Sequence, residues 1–259
     1  MSYKKRTRRE RIMAVVVERG AISVGALAEM LDVSMQTIRR DIDELCEGEG
    51  LRRLHGRVEL AEQRLNTPFD QRTGTNFAGK QAIGEAAARL IPDGSSLFIS
   101  IGSTPLSVAR ALRGRKGLTV ITNNLSAAMA LSDEVSNRII LPGGEVRLPD
   151  RDILGRSAST VFERHRADFG IYGVGGIDDD GALLDFHQPE IEAREAIRRN
   201  ARRSILVADC SKFGRTAPAI GGMLGEADHI VTDSRPDARF APLVERLGDR
   251  VIIASEVGQ

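Results

Sequence analysis

Val24-Gly25-Ala26-Leu27-Ala28-Glu29-Met30-Leu31-Asp32-Val33-Ser34-Met35-Gln36-Thr37-Ile38-Arg39-Arg40-Asp41-Ile42 reads as two short helices joined by a tight turn. Leu27, Met30 and Leu31 give the first, over 24–31, an apolar face at helical spacing. After Asp32-Val33, Ser34 stands where an N-cap belongs, and a second helix follows over 35–47, broken by Gly48 and Gly50. Along it Ile38, Ile42 and Leu45 fall at i, i+4 and i+7 and turn to a core. Met35, Gln36, Arg39, Arg40 and Asp43 are left pointing elsewhere. Upstream, Ile12, Val15, Val16 and Arg19 predict another helix from about residue 5 to the stop at Gly20. Downstream, residues 51–60 alternate imperfectly around Gly56, a short hairpin.

A helix that shows Gln36, Arg39 and Arg40 to solvent has the chemistry of a base reader. Gln36 pairs bidentately with adenine, and Arg39 or Arg40 with guanine or a phosphate. Ser34 and Thr37 sit at the helix N-terminus, where amides and hydroxyls favour a phosphate. Two helices joined by a tight turn form a helix-turn-helix, whose later helix enters the major groove of double-stranded DNA. Arg52, Arg53, His55 and Arg57 on the hairpin then reach flanking phosphates or the minor groove as a wing. A blander reading competes. Arg39 with Asp43 and Arg40 with Glu44 are spaced i, i+4 and could be surface ion pairs, and three helices with a hairpin also build dimerisation modules. The basic start (Lys4, Lys5, Arg6, Arg8, Arg9 and Arg11 against Glu10) meets phosphate or is a solvated terminus.

Beyond these local readings, the run Val33-Ser34-x-x-Thr37-Ile38-Arg39-Arg40-Asp41 followed by Leu54-His55-Gly56 resembles the signature of the DeoR family of bacterial repressors. The resemblance implies a transcription regulator bound to operator DNA. Arg57 departs from it, standing where the family usually has a second glycine.

The chain has 259 residues, enough for a winged helix-turn-helix domain over 1–60, a linker over 61–78 that is polar and carries Pro68, Gly74 and Asn76, and a larger domain over 79–259. Its 41% hydrophobic and 28% charged residues suit a globular protein, and a net charge of +1 selects no partner. Cys46 and Cys210 fall in different domains, so the spacing offers no disulfide framework and points to the reducing cytoplasm. His55, His165, His187 and His229 are scattered without zinc spacing, and neither a metal nor a cofactor is expected. No apolar run approaches the ~18 residues that span a bilayer, so no membrane partner is expected.

In the larger domain, strand candidates at 97–100, 118–122, 138–141, 169–173, 204–208, 229–232 and 251–254 alternate with helical stretches at 80–90, 105–112, 125–131, 189–202 and 241–247. That alternation predicts an α/β fold with a mainly parallel, doubly wound, Rossmann-like sheet. Polar, glycine-rich turns recur at the strand C-termini, the edge where such sheets bind ligands. Gly102-Ser103-Thr104-Pro105 forms a phosphate cradle in which Thr104 serves as N-cap and Pro105 opens the helix. Asn123 and Asn124 add amides that grip hydroxyls, and Gly143-Gly144 and Gly175-Gly176 close further turns. Lys212 supplies the charge a phosphate needs, and Asp178 or Asp209 takes ligand hydroxyls. Asp178-Asp179-Asp180-Gly181 begins like a calcium loop, but Pro189 stands where the closing Glu belongs, so it reads as a turn.

These turns are similar to the sensor domain of the same family, which is related in fold to ribose-5-phosphate isomerase. The similarity implies a small phosphorylated effector, glycerol 3-phosphate first, whose binding weakens operator affinity; Ser100 departs where the family commonly has Asp. Helix-turn-helix proteins usually read paired half-sites, so a homodimer or homotetramer is expected. The reading from another class is a sugar-phosphate isomerase carrying a DNA-binding appendage. Glu195, after the Gly175-Gly176 turn, is its candidate base, against the charged face made by Glu190, Glu192, Arg194, Arg198 and Arg199.

Overall fold

The computed structural model of the chain describes residues 3–19, 22–47, 51–54, 57–60 and 69–256, and the chain divides into two units, Met1–Thr67 and Pro68–Gln259. The N-terminal unit runs α1 (Tyr3–Arg19), β1 (Ile22–Ser23), α2 (Val24–Leu31), α3 (Met35–Glu47), β2 (Leu51–Leu54) and β3 (Arg57–Leu60). Its sheet has the order β1-β3-β2, with Leu54 paired to Arg57 and Ile22 to Val58. Ile12, Val16, Leu27, Ile38, Ile42, Leu51 and Val58 bury their side chains together, as the 3.6-residue spacing predicts, with Leu45 packed against them. β1 escapes a sequence reading because two residues carry no period.

The α2–α3 turn is held by its backbone. Asp32 ends α2 at φ 52°, a left-handed conformation that costs an L residue about 1–2 kcal/mol and that Asp tolerates better than most. It lets the Val33 amide donate to the Ala28 carbonyl at 3.1 Å. The Ser34 hydroxyl then accepts from the Thr37 amide at 3.2 Å, so Ser34 is the N-cap of α3.

The second unit begins with α4 (Phe69–Gly74) and α5 (Phe77–Arg89). Residues 69–78, expected as the end of the linker, are thus mostly helical, whereas 61–68 lie outside the described residues. The polar surface of α4 disguises it: only Phe69 is buried, and the guanidiniums of Arg72 and Arg151 each stand 5.7 Å from its ring. There follow β4 (Ser96–Ile99), α6 (Ser103–Ala111), β5 (Thr119–Thr122), α7 (Leu125–Leu131), β6 (Arg138–Ile140), α8 (Arg156–Glu163), β7 (Ala167–Tyr172), β8 (Gly176–Ile177), β9 (Ala182–Asp185), α9 (Gln188–Asn200), β10 (Ala201–Val207), β11 (Ala219–Met223), β12 (His229–Thr232), α10 (Ala241–Leu247) and β13 (Val251–Ile253).

Seven strands form one parallel sheet in the order β13-β12-β10-β7-β4-β5-β6, one for each expected strand. Alternation sends Leu97 and Ile99 of β4 to one face, with Ile83, Ala87, Leu106 and Val108. Phe98 goes to the other, against Phe162, Ile197 and Leu206. Two apolar layers therefore sandwich the sheet between helices, the architecture of a doubly wound α/β domain.

A second, antiparallel sheet, β11-β9-β8, was not foreseen. All four residues of β9 are buried, so its sequence shows no alternation to read. Here Gly176 has a packing reason, because a Cβ on it would stand 1.9 Å from the Arg215 carbonyl oxygen. The Asp178–Asp180 segment is the exposed turn between β8 and β9.

Candidate DNA interface and ligand site

On α3 the expected reading face is open. Met35, Gln36, Arg39, Arg40 and Asp43 are exposed, and so is Ser34. The i, i+4 ion pairs that would have neutralised it do not form. Asp43 pairs instead with Arg53 at 2.8 Å, and Glu44 is taken by Lys5 at 2.5 Å and by Arg9. Those two cations hold the Glu44 carboxyl below its ordinary range. Among the described residues Arg39 and Arg40 make no ion pair, and the Ser34 and Thr37 hydroxyls are bonded to each other at 2.9 Å.

Within the basic start of the chain, Lys5, Arg8 and Arg9 are spent on acids of α3, whereas Arg11 is exposed. Arg8 donates to the buried Asp41 at 2.5 Å, and Arg9 approaches the same carboxylate at 3.6 Å. α1 is therefore riveted to α3 by its own cations, which Asp41 attracts from the inner side of the helix. Of the wing residues, Arg53 also donates to the Arg39 carbonyl at 3.1 Å and so ties β2 to α3. Arg57 is exposed on β3, Arg52 lies on β2, and His55 falls outside the described residues.

In the second unit the chain steps from β4 outward to β5 and β6, then returns to β7 on the far side of β4. The crevice beyond the C-terminal ends of β4 and β7 is thus the switch point at which such sheets take ligands. Gly102 sits there at φ 111° as the N-cap of α6, so the helix starts at Ser103, one residue before the expected cap Thr104. Gly alone adopts that conformation without strain. The first intrahelical bond is from Leu106 to the Gly102 carbonyl at 3.2 Å, which leaves the Ser103 and Thr104 amides as unsatisfied first-turn donors.

Asn123 and Asn124 are buried. Asn124 accepts from the Ala127 amide at 3.1 Å, capping α7, while its Nδ2 donates to the Ser100 and Gly102 carbonyls at 3.2 Å each, so it braces the cradle. Asn123 donates to the Ile153 carbonyl at 2.9 Å, and its buried Oδ1 has no hydrogen-bond partner among the described residues. Gly143 and Gly144 lie in an exposed loop, and Asp178 on its exposed turn accepts from the Asp179 amide. Gly175 donates to Asp185 at 2.7 Å, anchoring the loop after β7.

Asp209, at the end of β10, is buried and caps the one-turn helix Cys210–Lys212 by accepting from the Ser211 amide at 3.2 Å. Lys212 is held well below the usual lysine range, at about 7. Burial is the main cause, followed by the positive charge of Arg215; Asp209 opposes them, while Arg72 and Lys80 add to the depression. Sequence reasoning missed Arg72, Lys80 and Arg215. Arg215 stands only three residues after Lys212 in the sequence, whereas Lys80 and Arg72 had no local signal, coming from helices remote in sequence. Lys80 is 4% exposed, and its ammonium donates to the Thr75 carbonyl at 2.7 Å and to that of Arg72. Lys212, Arg215, Lys80 and Arg72 act on one another here with Asp209, Asp185, Asp233 and Asp150 among them, and the first-turn amides of α6 open at the end of β4, two strands along the sheet from β10; cations and amide donors of this kind are what a phosphate monoester binds.

Glu195 is engaged by Arg198 at 2.9 Å and by Arg199 at 3.5 Å, so it belongs to a charged face of α9. Among the described residues no helix is long and apolar enough to cross a membrane, and no three His, Cys, Asp or Glu side chains gather as metal ligands.

Residues 8–64 match the family model described as the DeoR-like helix-turn-helix domain, and residues 75–234 match the DeoR C terminal sensor domain. The glycerol-3-phosphate regulon repressor of Escherichia coli is 42% identical over 90% of this chain and 92% of its own. That of Haemophilus influenzae is 39% identical over 98% and 99%. The HTH-type transcriptional repressor CsqR of Escherichia coli is 36% identical over 96% and 95%. Among solved structures, ribose 5-phosphate isomerase from Methanocaldococcus jannaschii overlays 54% of this chain and 55% of its own at 15% identity with a TM-score of 0.39, too slight a likeness to build on. With both domains matched and relatives similar along nearly their whole length, the chain belongs to the DeoR family of transcriptional repressors.

Proposed function

We propose that the protein represses transcription by laying α3 in the major groove of a double-stranded operator and is released by a small phosphorylated effector, glycerol 3-phosphate. The observation that carries the DNA half is the diversion of Asp43 and Glu44 to Arg53, Lys5 and Arg9, which leaves Gln36 exposed and Arg39 and Arg40 exposed without an ion pair among the described residues. Gln36 and Arg39 read base edges, and Arg40, Ser34 and Thr37 meet phosphates. Arg52, Arg57 and His55 extend the contact as a wing, and Arg53 orients it.

The effector half rests on the cations around Lys212 and on the names of the relatives, two of which are glycerol-3-phosphate regulon repressors. The phosphate sits against the Ser103 and Thr104 amides and Lys212, and Asp209 takes a hydroxyl. Two copies read paired half-sites, as a homodimer or a homotetramer. The test is a gel shift on an operator selected from random duplexes, with glycerol 3-phosphate titrated in. A preference of 1–3 kcal/mol for the released state lowers operator affinity roughly 5- to 150-fold. Release by no phosphorylated three- to six-carbon compound rules out the effector half, and failure to select any operator rules out the DNA half.

A further inference from the structure

α4 is the first described element after the junction at Thr67 and Pro68. It is fastened to the rest of its unit by charge. Arg72 pairs with Asp150 and Asp70 with Arg151 at 2.8 Å, both partners lying in the loop between β6 and α8. That loop is itself fixed: Arg147 grips Asp152 at 2.7 and 2.8 Å and Glu190 at 3.2 Å, and reaches Asp150 at 3.8 Å. Past α4, the Asn76 amide donates to Asp233 at 2.8 Å. The other oxygen of Asp233 accepts from the Cys210 amide at 2.7 Å, at the turn that carries Lys212. Residues 69–76, the described stretch of this unit nearest the DNA-reading unit in sequence, are therefore tied to the candidate phosphate site twice, by the Arg72 carbonyl that takes the Lys80 ammonium and by Asn76 through Asp233.

Arg72 is the cation with bonding capacity to spare, because its Nε is buried without a hydrogen-bond partner among the described residues. Its only ion-pair partner among the described residues is Asp150, one carboxylate at a partly exposed site, while its charge acts on Lys212, Lys80 and Arg215. A phosphate dianion carries more charge than a carboxylate and takes bidentate bonds from a guanidinium. Resting on the effector reading above, we infer that Arg72 is a two-position switch: it holds α4 to Asp150 in the operator-binding state and turns to the effector phosphate in the released state. An effector acts only through such a difference in its contacts between two states. α4 then moves with its arginine, and the chain it continues passes the shift to the helix-turn-helix.

The test begins with operator affinity in the full-length protein without effector. Asp150→Asn frees Arg72 and weakens operator binding about tenfold on its own, and Arg72→Gln does the same. The exchange Arg72→Glu with Asp150→Arg restores the pair without a cation for the phosphate. It binds operator within about twofold of wild type, is not released by 10 mM glycerol 3-phosphate, and loses most of the melting-temperature shift that wild type shows with inorganic phosphate. Wild-type operator affinity in both single variants overturns the switch, and so does an exchange variant that is still released normally. Circular dichroism melts of each variant separate loss of switching from loss of fold. A wild type indifferent to glycerol 3-phosphate refutes the effector assignment instead, and the effector-free comparison of the single variants still decides the role of Arg72.

Discussion

Replacing Lys212 by methionine keeps the stem of the side chain and removes its charge. In the folded protein the ammonium is held at about 7 instead of 10.5, mainly by burial and then by Arg215. At about 1.36 kcal/mol for each tenfold step, keeping it protonated costs the second unit on the order of 4–5 kcal/mol, which partial exposure to solvent screens to about 2–3. The sign follows from proton counting. Between pH 7 and 10.5 the unfolded chain binds a proton that the folded chain does not, so wild-type stability rises with pH across that window. Below pH 7 the cost is present in full. Lys212→Met is therefore more stable than wild type by about 2–3 kcal/mol at pH 6, or roughly 5–10 °C for a unit of this size. The advantage shrinks steadily above pH 7, is small by pH 10 and vanishes only above pH 10.5. Calorimetric melts of the full-length protein at pH 6, 8 and 10 measure this, and operator gel shifts on the same sample show whether release by glycerol 3-phosphate is lost. A variant less stable than wild type at pH 6, or one whose gain is the same at pH 6 and pH 10, refutes the picture of a desolvated cation kept for its ligand.

Other perturbations test other parts. Wild-type affinity for glycerol 3-phosphate falls as pH rises above 7, because binding must return a proton to Lys212; calorimetric titration in buffers of different ionisation enthalpy reports the proton taken up. Arg39→Ala costs about 1–3 kcal/mol of operator binding and relaxes the sequence preference at one position, whereas Arg40→Ala weakens all duplexes alike and lowers the slope of log K against log salt by about one. Both leave the effector affinity unchanged. Asp41→Ala strands the Arg8 guanidinium while Arg9 keeps Glu44, lowering the stability of the N-terminal unit by about 1–2 kcal/mol in urea melts.

The N-terminal unit was legible almost residue by residue. The bounds of α2 and α3 follow from Ser23, Asp32 and Ser34, since capping and a left-handed turn are properties of a few adjacent residues. The seven parallel strands were legible for a similar reason, each being a short apolar run between polar turns. Harder to read was what each polar side chain does. Asn124 has the composition of a ligand residue, yet its amide is spent on bracing, as its bonds to Ser100 and Gly102 show. The lysines and arginines of α1 have the composition of a phosphate arm, yet Lys5, Arg8 and Arg9 spend their charge on Asp41 and Glu44.

By itself, then, the sequence determined the helix-turn-helix, the doubly wound sheet and the family, because all three are written in periodicities and motifs spanning at most a few tens of residues. Tertiary structure alone decided which charges are free and which are taken. Among the described residues Arg39 and Arg40 have no ion pair because Arg53, Lys5 and Arg9 arrive from other elements to claim Asp43 and Glu44. At Lys212, burial and the nearby Arg215 act most strongly, but the field is completed by Arg72 and Lys80, brought from helices more than a hundred residues earlier. Electrostatic interaction falls with distance in space and takes no account of distance along the chain, so no reading of neighbouring residues could have found it.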